Sequence, residues 1–458
     1  MSDNPTRPAR RARVRRRLVA VAALGVAALT LAACGQASSP TAAASAPASK
    51  FTAAAQSSSA PLTVWVDSTR LPGVQAYQKA HPDVKLNIVT YNGDANGSNY
   101  LQTKVELYDR AGSGWPDVVF TENVNDITWA TESGIDFAAP LNSGYVPSAT
   151  LSNFATGALS PCTFDGDVYC LRNDLAQNVL WYNKKLLDQF GYTVPTTWEQ
   201  YEALGEKVAK QHPGYIIGTV GDAWAPEVYF WASQCQANQV TPPSTLTLNT
   251  SSTDCTRMAS LLDTLIKDKS VSTDTVFSAG FAKNTASKTL MLVGPSWYGQ
   301  TLFNSVFKTP AGEIAAAPPL SWTGESSTYT GDVGGGAWIV SAHSKNLTAA
   351  SALATWMATS NAYQATAGTY PAYKPAATAW LANQAKSGYF ADDVAPAFTQ
   401  AAGEVWTGWS ATKFSQEAIW AATVVPALTE GKTITAMLGP WQTAIQDQAQ
   451  TLGYTVKG

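Results

Sequence analysis

The chain predicts an α/β fold built as two domains, on two observations. Strand-like and helix-like segments alternate along the first globular stretch. Roughly 400 residues follow the N-terminal leader, more than one compact core accommodates. Thr63, Val64, Trp65 and Val66 form an apolar run that predicts a short buried strand. Residues 72–80 have helical spacing and are stopped by His81 and Pro82. Residues 84–89 alternate apolar and polar, which predicts a second strand. Asn and Gly punctuate a loop over 92–99, a helix is expected over 100–110, and 117–120 reads as a third buried strand. Strand, helix, strand, helix, strand at this spacing predicts a parallel sheet covered by helices. Open sheets of that kind bind ligands at the carboxyl ends of their strands. That rule points to Asp67, Ser68 and Arg70 after the first strand, and to Asp94 and Asn96 after the second. After the third it points to Thr121, Glu122 and Asn123.

Further along, 179–183 reads as a strand and 198–211 as a strongly amphipathic helix. Residues 290–293 predict a buried strand that runs into Gly294, Pro295, Ser296 and Trp297. A strand is expected at 337–340 and a helix at 347–359. The last third is helical, over about 391–403, 413–429 and 434–453. There is no internal repeat.

The N-terminus is laid out as an export signal. Arg7, Arg10, Arg11, Arg13, Arg15, Arg16 and Arg17 precede an apolar run over 18–31, too short for an ordinary membrane span. Leu31, Ala32 and Ala33 lead into Cys34, which resembles the lipobox of bacterial lipoproteins. The resemblance implies cleavage after residue 33, lipidation of Cys34, and attachment to the extracellular face of the cell membrane. A plain secretory signal is the alternative, and the arginine pairs fit either the general or the twin-arginine route. Residues 35–60 are almost all Ala, Ser, Thr, Pro, Gln and Gly, too polar to order themselves. As a flexible coil this leash would span roughly 30 Å.

Charge and cysteines narrow the class. The chain carries −3; the leader contributes seven arginines and Asp3, so the mature protein stands near −9. That argues against nucleic acid as a partner. Cys162, Cys170, Cys235 and Cys255 remain after Cys34, an even number that in an exported protein suggests two disulfides. Cys162 and Cys170 flank the Asp165-Gly166 hairpin signal, so a bridge there is plausible. Cys235 would then pair with Cys255, one of three possible pairings. The spacings fit no zinc pattern, and neither a metal nor a cofactor is expected.

Six segments together resemble the extracellular solute-binding proteins of ABC importers, in their maltodextrin-binding branch. They are KAHPDVKLN from Lys79, GWPDVVF from Gly114, LWYNKKLL from Leu180 (beside the usual YYNKDLF), and FGYTVPTTWE from Phe190. MLVGPSW from Met291 and GGGAWIVSAHSKN from Gly334 complete the set. Each is weak alone; their order over residues 61–458 makes them specific. The resemblance implies a periplasmic-binding-protein type fold: two α/β lobes, a multi-crossing hinge and a ligand cleft. The N-terminal lobe would comprise 61–172 and 336–372, and the C-terminal lobe 173–335 and 373–458. Crossings are expected near 170–175, 332–338 and 370–375. A monomer is expected that captures a small-molecule carbohydrate, most simply an oligosaccharide, and hands it to permease subunits of an ABC transporter. The same fold with a non-sugar solute is the alternative.

Sugar rings present an apolar face and a rim of hydroxyls, so their sites combine flat aromatic platforms with planar hydrogen-bonding groups. The chain has 16 Trp and 18 Tyr to draw on. Trp297 is the leading platform, because the resemblance places a stacking tryptophan there; Trp224 and Trp338 are further candidates. Trp406 and Trp409 read as a loop pair with core packing the better expectation, and Trp181, Trp198, Trp356 and Trp380 as structural. Asp67, Asp94, Glu122, Asp126, Asn173, Asp174 and Gln177 are the polar candidates. Arg70 is expected to pin a ligand carboxylate or to pair with Asp67.

Enzyme signals are weak. His81, His212 and His343 have no metal spacing, and two of them precede proline. Gly431-Lys432-Thr433 lacks the earlier glycine of a phosphate loop, since position 426 is proline. Gly294 begins no complete nucleophile elbow. Paired carboxylates would suit a secreted glycan-active enzyme, but such pairs are too common to carry that reading.

Overall fold

A computed structural model describes residues 51–95, 98–241 and 244–458. Cys34 and Asn96 lie outside the described residues, as do the leader and most of the leash.

The predicted alternation produces the first sheet. Leu62–Val66 (β1), Leu86–Thr90 (β2) and Val118–Thr121 (β3) pair in parallel, β2 and β3 flanking β1. Ala337–Val340 returns antiparallel against β3 and also pairs with Cys170–Arg172, giving five strands. Side chains alternate across this sheet as a period of two requires. Leu62, Val64, Val66, Val118 and Phe120 face one core, while Trp65, Val119 and Ile339 face another. The helices Leu71–Ala80 and Leu347–Thr359 cover the first face; Tyr100–Ala111 and Val124–Ala130 contribute to the second.

The second sheet departs from the parallel pattern. Asn178–Asn183 is its central strand, and Met291–Pro295 and Ile314–Ala317 pair with it on either side, both antiparallel. Around it lies a large core in which Trp198–Gln211, Thr253–Lys267 and Ile434–Thr451 bury Trp198, Leu262 and Trp441. The single helix expected over 413–429 is two helices, Gln416–Thr423 and Val425–Thr429. Pro426 explains the break: it has no N–H to continue the ladder, and its ring clashes with the preceding turn.

Three segments run between the two sheets and bond to one another. Asp174–Leu175 pairs with Tyr370–Pro371, Gln177 bridges to Asp332, and the Asn173 N–H donates to the Gly336 carbonyl at 2.8 Å. This is the periplasmic-binding-protein architecture, with a cleft beside the crossings.

Both disulfides form as expected, Cys162–Cys170 and Cys235–Cys255. Asp165 and Gly166 have φ of 50° and 89°, the left-handed pair that a tight hairpin turn needs. Among the described residues, no helix is long and apolar enough to cross a membrane.

Candidate functional site

A cleft of about 1040 Å³ opens at the carboxyl ends of the first-sheet strands, against the crossings. Its aromatic walls form two groups. In the first, Trp297 follows the strand Met291–Pro295 after Ser296, and its indole N–H donates to the Val333 carbonyl at 3.0 Å. Trp224 meets it edge-on at 6.2 Å, and its own N–H donates to the Tyr298 hydroxyl at 2.8 Å. Phe277 lies nearly parallel to Trp297 at 6.2 Å and is 40% exposed, unusual for a ring of its size. In the second group, Trp231 stacks on Trp409 at 5.3 Å with 8° between planes. The Trp231 N–H donates to the Trp406 carbonyl at 2.7 Å, which fixes the pair. Rings held by their own N–H groups present faces without further ordering cost.

The polar rim is organised by cations. Arg70 is buried, and its guanidinium bonds Asp67 at 3.0 Å, Glu122 at 2.7 Å and Asp174 at 3.5 Å. Burial works against its charge, but Asp174, Asp67 and Glu122 outweigh that and hold its pKa above the ordinary arginine value. So Arg70 pairs with Asp67, as one of the two sequence expectations had it, and also ties the loops after β1 and β3 to Asp174 in the first crossing. Burial raises the Glu122 carboxyl, while Arg70 pulls it back. Arg172 bonds Asp332 at 3.0 Å and the Gly334 carbonyl at 3.2 Å. A side chain at Gly335, where φ is +78°, would put its Cβ 2.1 Å from the Arg172 guanidinium; this position requires glycine. Lys413 of the second core bonds Glu132, which follows Val124–Ala130, at 3.1 Å.

The remaining predicted residues take varied posts. Asp94 lies in the cleft wall, but its carboxylate accepts from the Tyr100 and Leu101 N–H groups, both at 2.9 Å, and from the Ser98 hydroxyl at 2.6 Å. It is fully buried, and its carboxylate caps the helix Tyr100–Ala111. Asn123 lines the cleft while capping Val124–Ala130. Ser68 is exposed and is not among the lining residues. Gln177 is wholly buried and donates to the Phe398 carbonyl at 3.1 Å, away from the cleft lining. Trp338 is also wholly buried, tilted on Phe120 and bonded to Asn173 Oδ1 at 3.0 Å. It is a core residue, which corrects its assignment as a ligand platform: in a strand shared by two neighbours the outward position points into the helices. Asp126 and Asn173 are buried with partners in the same way.

Sequence reasoning missed Trp231, Phe277, Glu227, Glu417, Arg172 and Asp332, all of which line the cleft. Of the three glycines at 334–336, Gly335 is the one pressed against Arg172. Glu227 is partly buried with one oxygen sealed and without a hydrogen-bond partner. Burial pushes its carboxyl well above the usual range, and Glu417 adds to the effect. Burial, then Glu122 across the cleft, pushes Glu417 up to about 7. Among the described residues no cluster of His, Cys, Asp and Glu is arranged to hold a metal.

Residues 59–365 match the family described as bacterial extracellular solute-binding protein. An arabinooligosaccharide-binding protein of Halalkalibacterium halodurans is 26% identical over 151 residues, a stretch covering 32% of this chain and 32% of that protein. The galacto-N-biose-/lacto-N-biose I-binding protein of the ABC transporter of Bifidobacterium longum, solved with lacto-N-biose, is similar at TM-score 0.70 and 18% identity. The similarity covers 88% of this chain and 100% of that one. An ABC transporter associated binding protein of B. animalis subsp. lactis, solved with beta-1,6-galactobiose, is similar at TM-score 0.65 and 19% identity, over 87% and 99% of the two chains. At such identities the likeness is one of fold.

Proposed function

Because this chain belongs to the bacterial extracellular solute-binding proteins, a family of binders rather than enzymes, we propose that it captures an oligosaccharide in the interlobe cleft. It then delivers that ligand to an ABC import permease. It works as a monomer, lipid-anchored through Cys34 on the extracellular face of the membrane. The lobes comprise 61–172 with 336–372, and 173–335 with 373–458.

One observation carries the ligand class. Two groups of tryptophans, with the N–H groups of Trp224, Trp297 and Trp231 fixed, face a cleft whose rim is carboxylate and amide. Flat apolar faces beside planar acceptors match the two surfaces of a pyranose. The binding proteins with the same fold were solved with disaccharides, which supports the reading. Residues on both sheets line the cleft, so a ligand touching both favours the closed arrangement.

The test is a thermal-shift screen of the mature protein against mono- and oligosaccharides, followed by calorimetry of the hits. A ligand at a hundred times its Kd stabilises by about 2.7 kcal/mol. The expected result is stabilisation by a sugar recovered chemically unchanged. Hydrolysis of the sugar, or stabilisation only by non-sugar solutes, would overturn the proposal.

A further inference from the structure

The cleft carries more negative charge than its own cations balance. Arg70 answers Asp67, Glu122 and Asp174, Arg172 answers Asp332, and Lys413 answers Glu132. Glu227 and Glu417 line the same cleft, and among the described residues neither makes an ion pair. They come from different places in the chain: Glu227 from the short helix Pro226–Phe230, Glu417 from the first turn of Gln416–Thr423.

This corner also lacks donors. One Glu227 carboxylate oxygen is sealed from water with no partner. Next to Glu417 is Gln416, only 4% exposed and also lining the cleft. Its amide nitrogen donates to the Ala237 carbonyl at 3.0 Å and to Asn238 Oδ1 at 3.1 Å, so the amide orientation is fixed. Its oxygen is left buried and unpartnered. Buried acceptors without donors are rare and call for an explanation. The adjoining wall is aromatic: Asn238 also bonds the Ser410 carbonyl at 2.6 Å, beside Trp409 and its stacked partner Trp231.

Resting on the carbohydrate reading, we propose that the ligand is an amino sugar, with a protonated amine seated between Glu227 and Glu417 against the Trp231 and Trp409 wall. An ammonium offers donors and no acceptor, which suits a corner of unpartnered oxygens. It neutralises the charge that closure concentrates, and it gains from aromatic faces nearby. A neutral sugar would leave two carboxylates confined together, or would require them to take up protons. Burial raises both acids, and Glu417 raises Glu227 further, as happens to carboxylates crowded together without a cation.

The experiment is calorimetry at pH 7.5 on the mature protein with matched pairs: glucosamine and glucose, galactosamine and galactose, and β-1,4-linked glucosamine trimer and cellotriose. Spermidine serves as an amine without a sugar ring. The amine should bind at least tenfold tighter than its neutral counterpart in one pair or more. In Glu227→Gln and Glu417→Gln, each checked for an intact unfolding transition, that ratio should collapse toward one. Neutral sugars binding as well as amines would overturn the inference and leave the carbohydrate reading standing. A preference that survives in both variants would overturn it too. Spermidine binding tighter than every sugar would overturn the carbohydrate reading instead. No binding by any amine would defeat the inference outright.

Discussion

Replacing Glu417 by glutamine should make the ligand-free protein more stable at pH 7.5. Burial, then the charge of Glu122, lifts the Glu417 carboxyl from 4.5 to about 7. The unfolded chain restores the lower value. Between those two values the folded state binds more protons than the unfolded state, so stability falls as pH rises through this window. The full displacement corresponds to about 3 kcal/mol at 1.36 kcal/mol for each pH unit. Position in the first turn of Gln416–Thr423 offsets some of it, because a helix N-terminus favours a carboxylate by about 0.3–1 kcal/mol. A net gain of roughly 2 kcal/mol, spread over some 400 residues at about 2.1 cal/mol/K each, raises the midpoint by about 2–3 °C. Scanning calorimetry of both proteins from pH 4 to 8 tests this. The difference should vanish near pH 4.5 and be largest above 7. Equal midpoints at pH 7.5, or a difference that grows toward acid, would refute the reasoning.

Three further outcomes are expected. Trp297→Ala should weaken ligand binding at least thirtyfold by calorimetry, the loss of about 2 kcal/mol typical of a central aromatic anchor; normal binding would put the site elsewhere. Cys235→Ser with Cys255→Ser opens a loop of 20 residues and should cost about 3 kcal/mol in denaturant titrations, against no change if that segment is already pinned by packing. Cys34→Ala should release the protein from membrane fractions, and unchanged retention would remove Cys34 as the anchor.

The first sheet was legible because its strands are short, apolar and separated by capped helices. Val64 and Val66 against Trp65 already show the period of two that the register confirms. The second sheet was less legible. Asn178–Asn183 is the middle strand and is buried through Leu180 and Trp181, so its centre, Val179 to Tyr182, runs apolar without alternation and gives no hint of pairing direction. The disulfide Cys162–Cys170 was legible from its turn alone. Trp338 was not: a buried indole bonded to Asn173 and a ligand platform have the same sequence signature. Asp94 is ambiguous in the sequence for a related reason. A carboxylate at a strand end serves a helix cap or a ligand equally well, and here the cap takes both its oxygens.

The least legible part of the site is the part built by the crossing segments. Arg172, Asp174, Asp332 and Val333 belong to the crossing segments, yet all four line the cleft. Their side chains and carbonyls hold the binding surface in place. Val333 accepts the Trp297 N–H, Asp174 meets Arg70, and Asp332 meets Arg172 while also accepting the Ala176 N–H at 2.7 Å. A platform bonded to a hinge strand turns with that strand. Removing one carboxylate partner of a buried arginine is costly, because it leaves the charge unanswered. Under the proposed capture mechanism the crossings are held most firmly where ions pair, and any bending falls on the stretches between them. The left-handed Gly334 and Gly335 are the residues there best able to absorb a change in backbone angle.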